Sequence, residues 1–122
     1  MNPGLRVLVV EDNVDSAETM RTLLVLCGFQ VSVAHSGQEG IATARRVEPH
    51  IVLCDIGLPD GDGYVVASVL RQHSGTAGAR LIAVTAYGEA THRIRAIAAG
   101  FDQHLVKPVE PRDLLRELET TL

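Results

Sequence analysis

Five short runs, each at least half apolar and the first nearly all so, punctuate this chain: Leu5 to Val10, Gln30 to Ala34, His50 to Cys54, Arg80 to Val84 and Gln103 to Val106. Runs this short, bounded by turn formers, read as strands buried on both faces. Amphipathic segments separate them. After the first run, Glu11-Asp12-Asn13 offers helix caps, and apolar residues recur at Val14, Ala17, Met20, Leu23, Leu24 and Cys27 until Gly28, placed for a left-handed stop. Ser36-Gly37-Gln38-Glu39 is a capping box opening a helix to about Val47, which Pro49 closes. Gly57, Pro59, Gly61 and Gly63 force an extended turn before a helix through Leu70. A fourth helix runs from about Glu89 to Ala99 with Gly100 as its stop, and Pro111 opens a last one carrying Leu114, Leu115, Leu118 and Leu122 on one face. Buried strands alternating with helices require a parallel sheet, because parallel neighbours need long crossovers and right-handed crossovers place helices on both faces. The expected architecture is an open α/β sandwich.

At 122 residues and 13.1 kDa, everything has to fit in a single domain, residues 1–122. Hydrophobic residues at 46% and charged residues at 21% exclude a disordered or coiled-coil chain. The net charge of −4, with basic residues scattered, argues against direct nucleic-acid binding. No stretch approaches the roughly 20 apolar residues of a membrane span, and the first residues lack the pattern of a secretory signal. We therefore expect no membrane insertion and a cytoplasmic, reducing location. Cys27 and Cys54 stand apart as reduced core residues, and no two histidines have the spacing of a helix-borne zinc site. The stretch from His73 to Gly78, rich in Ser and Gly, reads as flexible.

In open parallel sheets, ligands collect beyond the carboxyl ends of the strands. The residues delivered there are Glu11 and Asp12 after the first strand, Asp55 after the third, Thr85 after the fourth and Lys107 after the fifth. Clustered carboxylates repel one another unless a cation joins them, and all-oxygen ligands favour a hard ion such as Mg²⁺. Lys107 and the Thr85 hydroxyl can pair with phosphoryl oxygens, and a carboxylate among such groups can attack phosphorus to give an acyl phosphate. Asp55, on the central strand, is best placed to do so.

Taken singly, each position has an ordinary explanation: helix caps at Glu11 and Asp12, a turn aspartate at Asp55, a capping Thr85, a solvated Lys107. Their coincidence on one edge is what points to chemistry. Asp60 and Asp62 read as turn formers, and His35, His50, His73 and His92 as ordinary surface or core residues. His104, three residues before Lys107, stands apart from these.

Four segments in order and spacing, VLVVEDN (7–13), DIGLPDGDGY (55–64), VTAY (84–87) and LVKP (105–108), make the chain resemble the receiver domain of bacterial two-component response regulators from Leu5 to Leu118. The resemblance implies a flavodoxin-like (βα)5 fold, a three-layer sandwich with strand order 2-1-3-4-5. It implies Asp55 as phosphoacceptor, with Glu11, Asp12, Asp55 and the Gly57 carbonyl as ligands of Mg²⁺ or Mn²⁺. Thr85 and Lys107 match the family's signalling hydroxyl and phosphoryl-pairing lysine, and a cis Lys107-Pro108 bond is expected. The implied switch comprises Thr85, Ala86, His104 and Pro108; His104 replaces the more usual Tyr or Phe, so its inward burial would depend on protonation. Gly57 and Tyr87 occupy positions that tune dephosphorylation in the family. The implied partners are a histidine kinase or phosphotransfer domain, an output partner or attached domain, and a second copy on activation; the context is a stand-alone receiver or an excised domain, and the wording, most similar to receivers of hybrid sensor histidine kinases, leans slightly to the latter.

Three rivals share parts of this pattern. A flavin or nucleotide module needs a phosphate cradle where Glu11 and Asp12 would repel one. An aspartyl phosphatase needs a second aspartate where Gly57 stands. An unphosphorylated interaction module on the same fold would have no use for the five polar groups.

Overall fold

The computed structural model describes residues 4–59, 63–86 and 90–119. The elements are β1 (Arg6–Val10), α1 (Val14–Leu26), β2 (Gln30–Ala34), α2 (Gly37–Val47), β3 (Ile51–Asp55), α3 (Gly63–Gln72), β4 (Arg80–Thr85), α4 (Ala90–Ala99), β5 (Gln103–Val106) and α5 (Pro111–Glu119). The strands form one parallel sheet in the order β2-β1-β3-β4-β5, the flavodoxin-like arrangement that the family resemblance implied. Asp60, Gly61, Asp62, Tyr87, Glu89 and Leu122 lie outside the described residues. No helix among the described residues is long and apolar enough to cross a membrane.

Side chains alternate across the strands, so successive residues feed two cores. Leu8, Val10, Val52, Cys54, Leu81 and Ala83 pack on one face with Ala44 of α2, Val66, Ala67 and Leu70 of α3 and Ala96 of α4. Val7, Val9, Ile51, Leu53 and Ile82 pack on the other with Leu24 of α1 and Leu114 and Leu118 of α5. Leu24 and Leu118 are fully buried, and burial of this kind contributes about 1.5–3 kcal/mol per side chain. Val14, expected on the apolar face of α1, is instead 58% exposed, because it is the first residue of the helix and lies beyond the edge of the sheet.

The helix ends follow local chemistry. Asn13 caps α1 by accepting the Ser16 N–H at 2.9 Å, which leaves the two acidic residues before it for other work. Ser36 caps α2 by accepting the Glu39 N–H at 3.1 Å. Gly28 and Gly100 adopt φ of 95° and 120° as helix stops. Glu48 takes a left-handed φ of 48° at the end of α2, where Arg6 donates to its carbonyl at 2.8 Å and to that of Val47 at 2.9 Å. The stretch read as flexible, His73 to Gly78, is pinned: Thr76 is buried and its hydroxyl donates to the Leu70 carbonyl at 2.7 Å.

β3 begins one residue later than the apolar run implied and takes in Asp55, whose backbone pairs in register with Val84. Thr85 likewise closes β4, opposite Val106. The parallel sheet therefore presents the ends of β1, β3, β4 and β5 along one edge.

Candidate functional site

Glu11 extends β1, its N–H donating to the Ala34 carbonyl at 2.9 Å, and this directs its side chain over the edge toward Asp55. One Glu11 oxygen accepts the Asn13 N–H at 3.2 Å, and His35 Nδ1 lies 3.0 Å from the Glu11 carbonyl. Glu11 is buried, Asp55 nearly so, and Asp12 exposed. Carboxylate oxygens of all three lie within 4.8 Å of one another. Charges at such separations repel by about 1 kcal/mol in water and about 4 kcal/mol near a protein surface.

Lys107 relieves part of that repulsion. Its ammonium donates to Glu11 Oε1 at 2.7 Å and to Asp55 Oδ2 at 3.0 Å, while the Gly57 N–H donates to Asp55 Oδ1 at 3.0 Å. The lysine is held there by the short backbone bond from its N–H to the Thr85 carbonyl, 2.7 Å, and the bond after it, Lys107-Pro108, is cis as the resemblance implied. Burial pushes the Glu11 carboxyl above its usual value; the Lys107 bond opposes this and Asp55 reinforces it. For Lys107, burial lowers the pKa, but the bonds and charges of Glu11 and Asp55 outweigh it and hold the ammonium above its ordinary value.

Three carboxylates against one ammonium leave an excess of negative charge, and every donor in the cluster is oxygen. That donor set fits a hard divalent cation, with the exposed Asp12 open to water and to a further ligand. Thr85 is 1% exposed, with its backbone joined to Lys107; Ala86 beside it is exposed. The structure thus brings Glu11, Asp12, Asp55, Gly57, Thr85 and Lys107 to one edge. His104 lies deeper, buried on β5, and Pro108 is exposed.

A groove of about 610 Å³ borders the site, lined by Met20 and Leu23 of α1, Val109, and Pro111 and Leu114 of α5, with Glu11 and Lys107 at its rim. A larger groove, about 870 Å³, lies at the opposite edge of the sheet, away from the carboxylates. There Arg71 of α3 donates to the carbonyls of Gly100, Ala77 and Ala79 at 2.8, 2.8 and 2.6 Å and pairs with Asp102 at 2.8 Å. Sequence reading passed over this arginine because its partners lie in two other loops and no local pattern marks them.

The response regulator receiver domain model matches residues 7–119. Transcriptional regulatory protein CusR of Escherichia coli is 32% identical over 118 residues, covering 97% of this chain and 51% of CusR. The chain spans about half the length of the curated relatives it matches. A CheY-like receiver domain protein from Methanospirillum hungatei superposes with a TM-score of 0.89 at 29% identity, covering 95% of this chain and 91% of that one. The receiver domain of sensor histidine kinase PA1611 from Pseudomonas aeruginosa, solved with a magnesium ion coordinated in its active site cleft, gives a TM-score of 0.88 at 28% identity, with 96% of each chain covered.

Proposed function

Because this chain belongs to the response regulator receiver domain family, we propose that it is a phosphorylation-controlled switch in which Asp55 takes a phosphoryl group from the phosphohistidine of a histidine kinase or phosphotransfer domain. The observation that carries this reading is the arrangement around Asp55: Lys107 at 3.0 Å from one oxygen, the Gly57 N–H at 3.0 Å from the other, and Glu11 and Asp12 clustered alongside. Two donors fix the orientation of this carboxylate, and a carboxylate nucleophile needs no separate base.

In the step itself an Asp55 oxygen bonds to phosphorus as the phosphorus–nitrogen bond to the partner imidazole breaks, its electron pair staying on that nitrogen. Glu11, Asp12, Asp55 and the Gly57 carbonyl would hold Mg²⁺ or Mn²⁺. When bound, that ion supplies positive charge against the phosphoryl oxygens. Lys107 exchanges its carboxylate partners for a phosphoryl oxygen, and the Thr85 hydroxyl donates to another. The segment from Ala86 to His92 follows Thr85, and with His104 and Pro108 it alters the face offered to an output partner, an attached domain or a second copy. An apolar groove lies beside Lys107, where a phosphodonor domain would rest in this reading. No separate substrate turns over, so the domain is a signalling module and no enzyme in the usual sense.

The test is the intact mass of the protein after incubation with Mg²⁺ and acetyl phosphate, beside Asp55→Asn and an EDTA control. One added phosphoryl group, dependent on Mg²⁺ and absent from the variant, is the expected result. No adduct, with beryllofluoride also failing to bind, would favour an unphosphorylated interaction module.

A further inference from the structure

His104 sits in the middle of β5 and is only 8% exposed. Its N–H donates to Gln103 Oε1 at 3.0 Å, and across the ladder it lies beside Ala83 of β4. The imidazole Nε2 is buried with no hydrogen-bond partner among the described residues. An orphaned, desolvated ring nitrogen is tolerable as a lone pair and costly as a charged N–H.

The neighbours sharpen the asymmetry. The charged and titratable groups acting on the ring are Arg93 and His92, both on α4. Its register partner on β4 is Ala83, and His92 in turn faces the Tyr64 hydroxyl of α3 at 3.5 Å, with the Arg95 guanidinium over the Tyr64 ring. Neither Arg93 nor His92 can offer a negative charge to a protonated ring. A proton on His104 therefore adds positive charge beside Arg93 and His92, on a buried ring whose Nε2 has no partner among the described residues.

We propose that His104 makes the seam between α4 and β5 acid-labile: protonating its buried imidazole drives the ring out from beneath α4, so the surface formed by α4 and β5 responds to pH as well as to any signal at Asp55. Burial first, and the charges of Arg93 and His92 after it, hold the pKa below the ordinary 6.5. A base with a depressed folded-state pKa gives stability that is present above the unfolded value and lost as pH falls below it. The seam is closed near neutrality and loosens in acid, whether or not Asp55 is phosphorylated.

The test uses the unphosphorylated chain without metal. The His104 ring is followed by NMR against the same imidazole in the urea-unfolded chain, and amide exchange of α4 and β5 is measured from about pH 7.5 to 5, referenced to β1 and β3 and corrected for intrinsic rates. His104 should titrate below its unfolded counterpart, and α4 and β5 should lose protection relative to β1 and β3 by up to about tenfold per pH unit, the limit for one linked proton. His104→Phe, or His104→Leu should the ring variant fail to fold, should abolish the pH dependence. Protection that stays flat in the wild type, or falls equally in the folded variant, would overturn the proposal. Because no phosphodonor is used, its failure is distinct from a failure of Asp55 to accept phosphate.

Discussion

Gly63 opens α3 where that helix leans on the strand carrying Asp55, and a single methyl there tests whether the site depends on the close approach. A Cβ on Gly63 would lie 2.6 Å from the Asp55 carbonyl oxygen, 2.9 Å from Ile56 Cα and 3.2 Å from Cys54 Sγ. Carbon–oxygen contacts settle at about 3.3 Å or more, so the first turn of α3 must retreat by roughly 0.7 Å. That movement stretches the 2.8 Å bond from the Gly63 N–H to the Ile56 carbonyl toward about 3.5 Å, where it is weak. Two of the obstacles are backbone atoms that cannot rotate away, which puts the overpacking cost near the top of its usual range, about 3 kcal/mol. The weakened bond adds about 1 kcal/mol, and the helical preference of alanine over glycine returns about 1 kcal/mol. Gly63→Ala should therefore lose about 3 kcal/mol in urea unfolding, equivalent to roughly 12 °C for a domain of this size. Gly57→Ala is the control, since its Cβ would lie 3.8 Å from Asp55 Oδ1, an ordinary contact; it should stay within about 0.5 kcal/mol of wild type. If Gly63→Ala is as stable as wild type, or Gly57→Ala loses as much, the steric reasoning fails.

Lys107→Met should remove an alkaline dependence as well as the response to phosphorylation. The raised Lys107 pKa means that its stabilisation is whole below 10.5 and is lost as pH rises through the folded value, so the stability difference between wild type and variant should shrink above pH 10.5 in thermal scans. Mg²⁺ at ten times its dissociation constant should stabilise the wild type by about 1.4 kcal/mol, and Asp12→Asn should lose most of that gain in scanning calorimetry against EDTA. Arg71→Ala removes the donor from the part-buried carbonyls of Gly100 and Ala79, while Asp102 keeps the Leu81 N–H; a loss of about 1–2 kcal/mol in urea unfolding is expected, with little recovery in Arg71→Lys because one ammonium cannot span that set.

The alternation of buried runs and capped helices was legible because it is a local property: period and cap chemistry are written within a few residues of each element, as at Asn13 and Ser36. So was the set of residues on the site edge, since in a parallel sheet every strand ends on the same side and Glu11, Asp55, Thr85 and Lys107 each follow directly on an apolar run or close it. The strand order came from the family resemblance, as periodicity does not say which strands are neighbours. Only the folded chain decided what those residues do to one another. Lys107 meets Glu11 and Asp55 across 96 and 52 residues of sequence, which turns three repelling carboxylates into a partly neutralised cluster. The same holds for Arg71, which gathers two loops, for Thr76, which pins a stretch whose composition reads as loose, and for His104, whose buried Nε2 finds no partner among the described residues. Local pattern fixes how each segment is buried. Which side chains then meet is set by the crossovers that order the strands, and those contacts decide the charge, reach and burial of each group in the site.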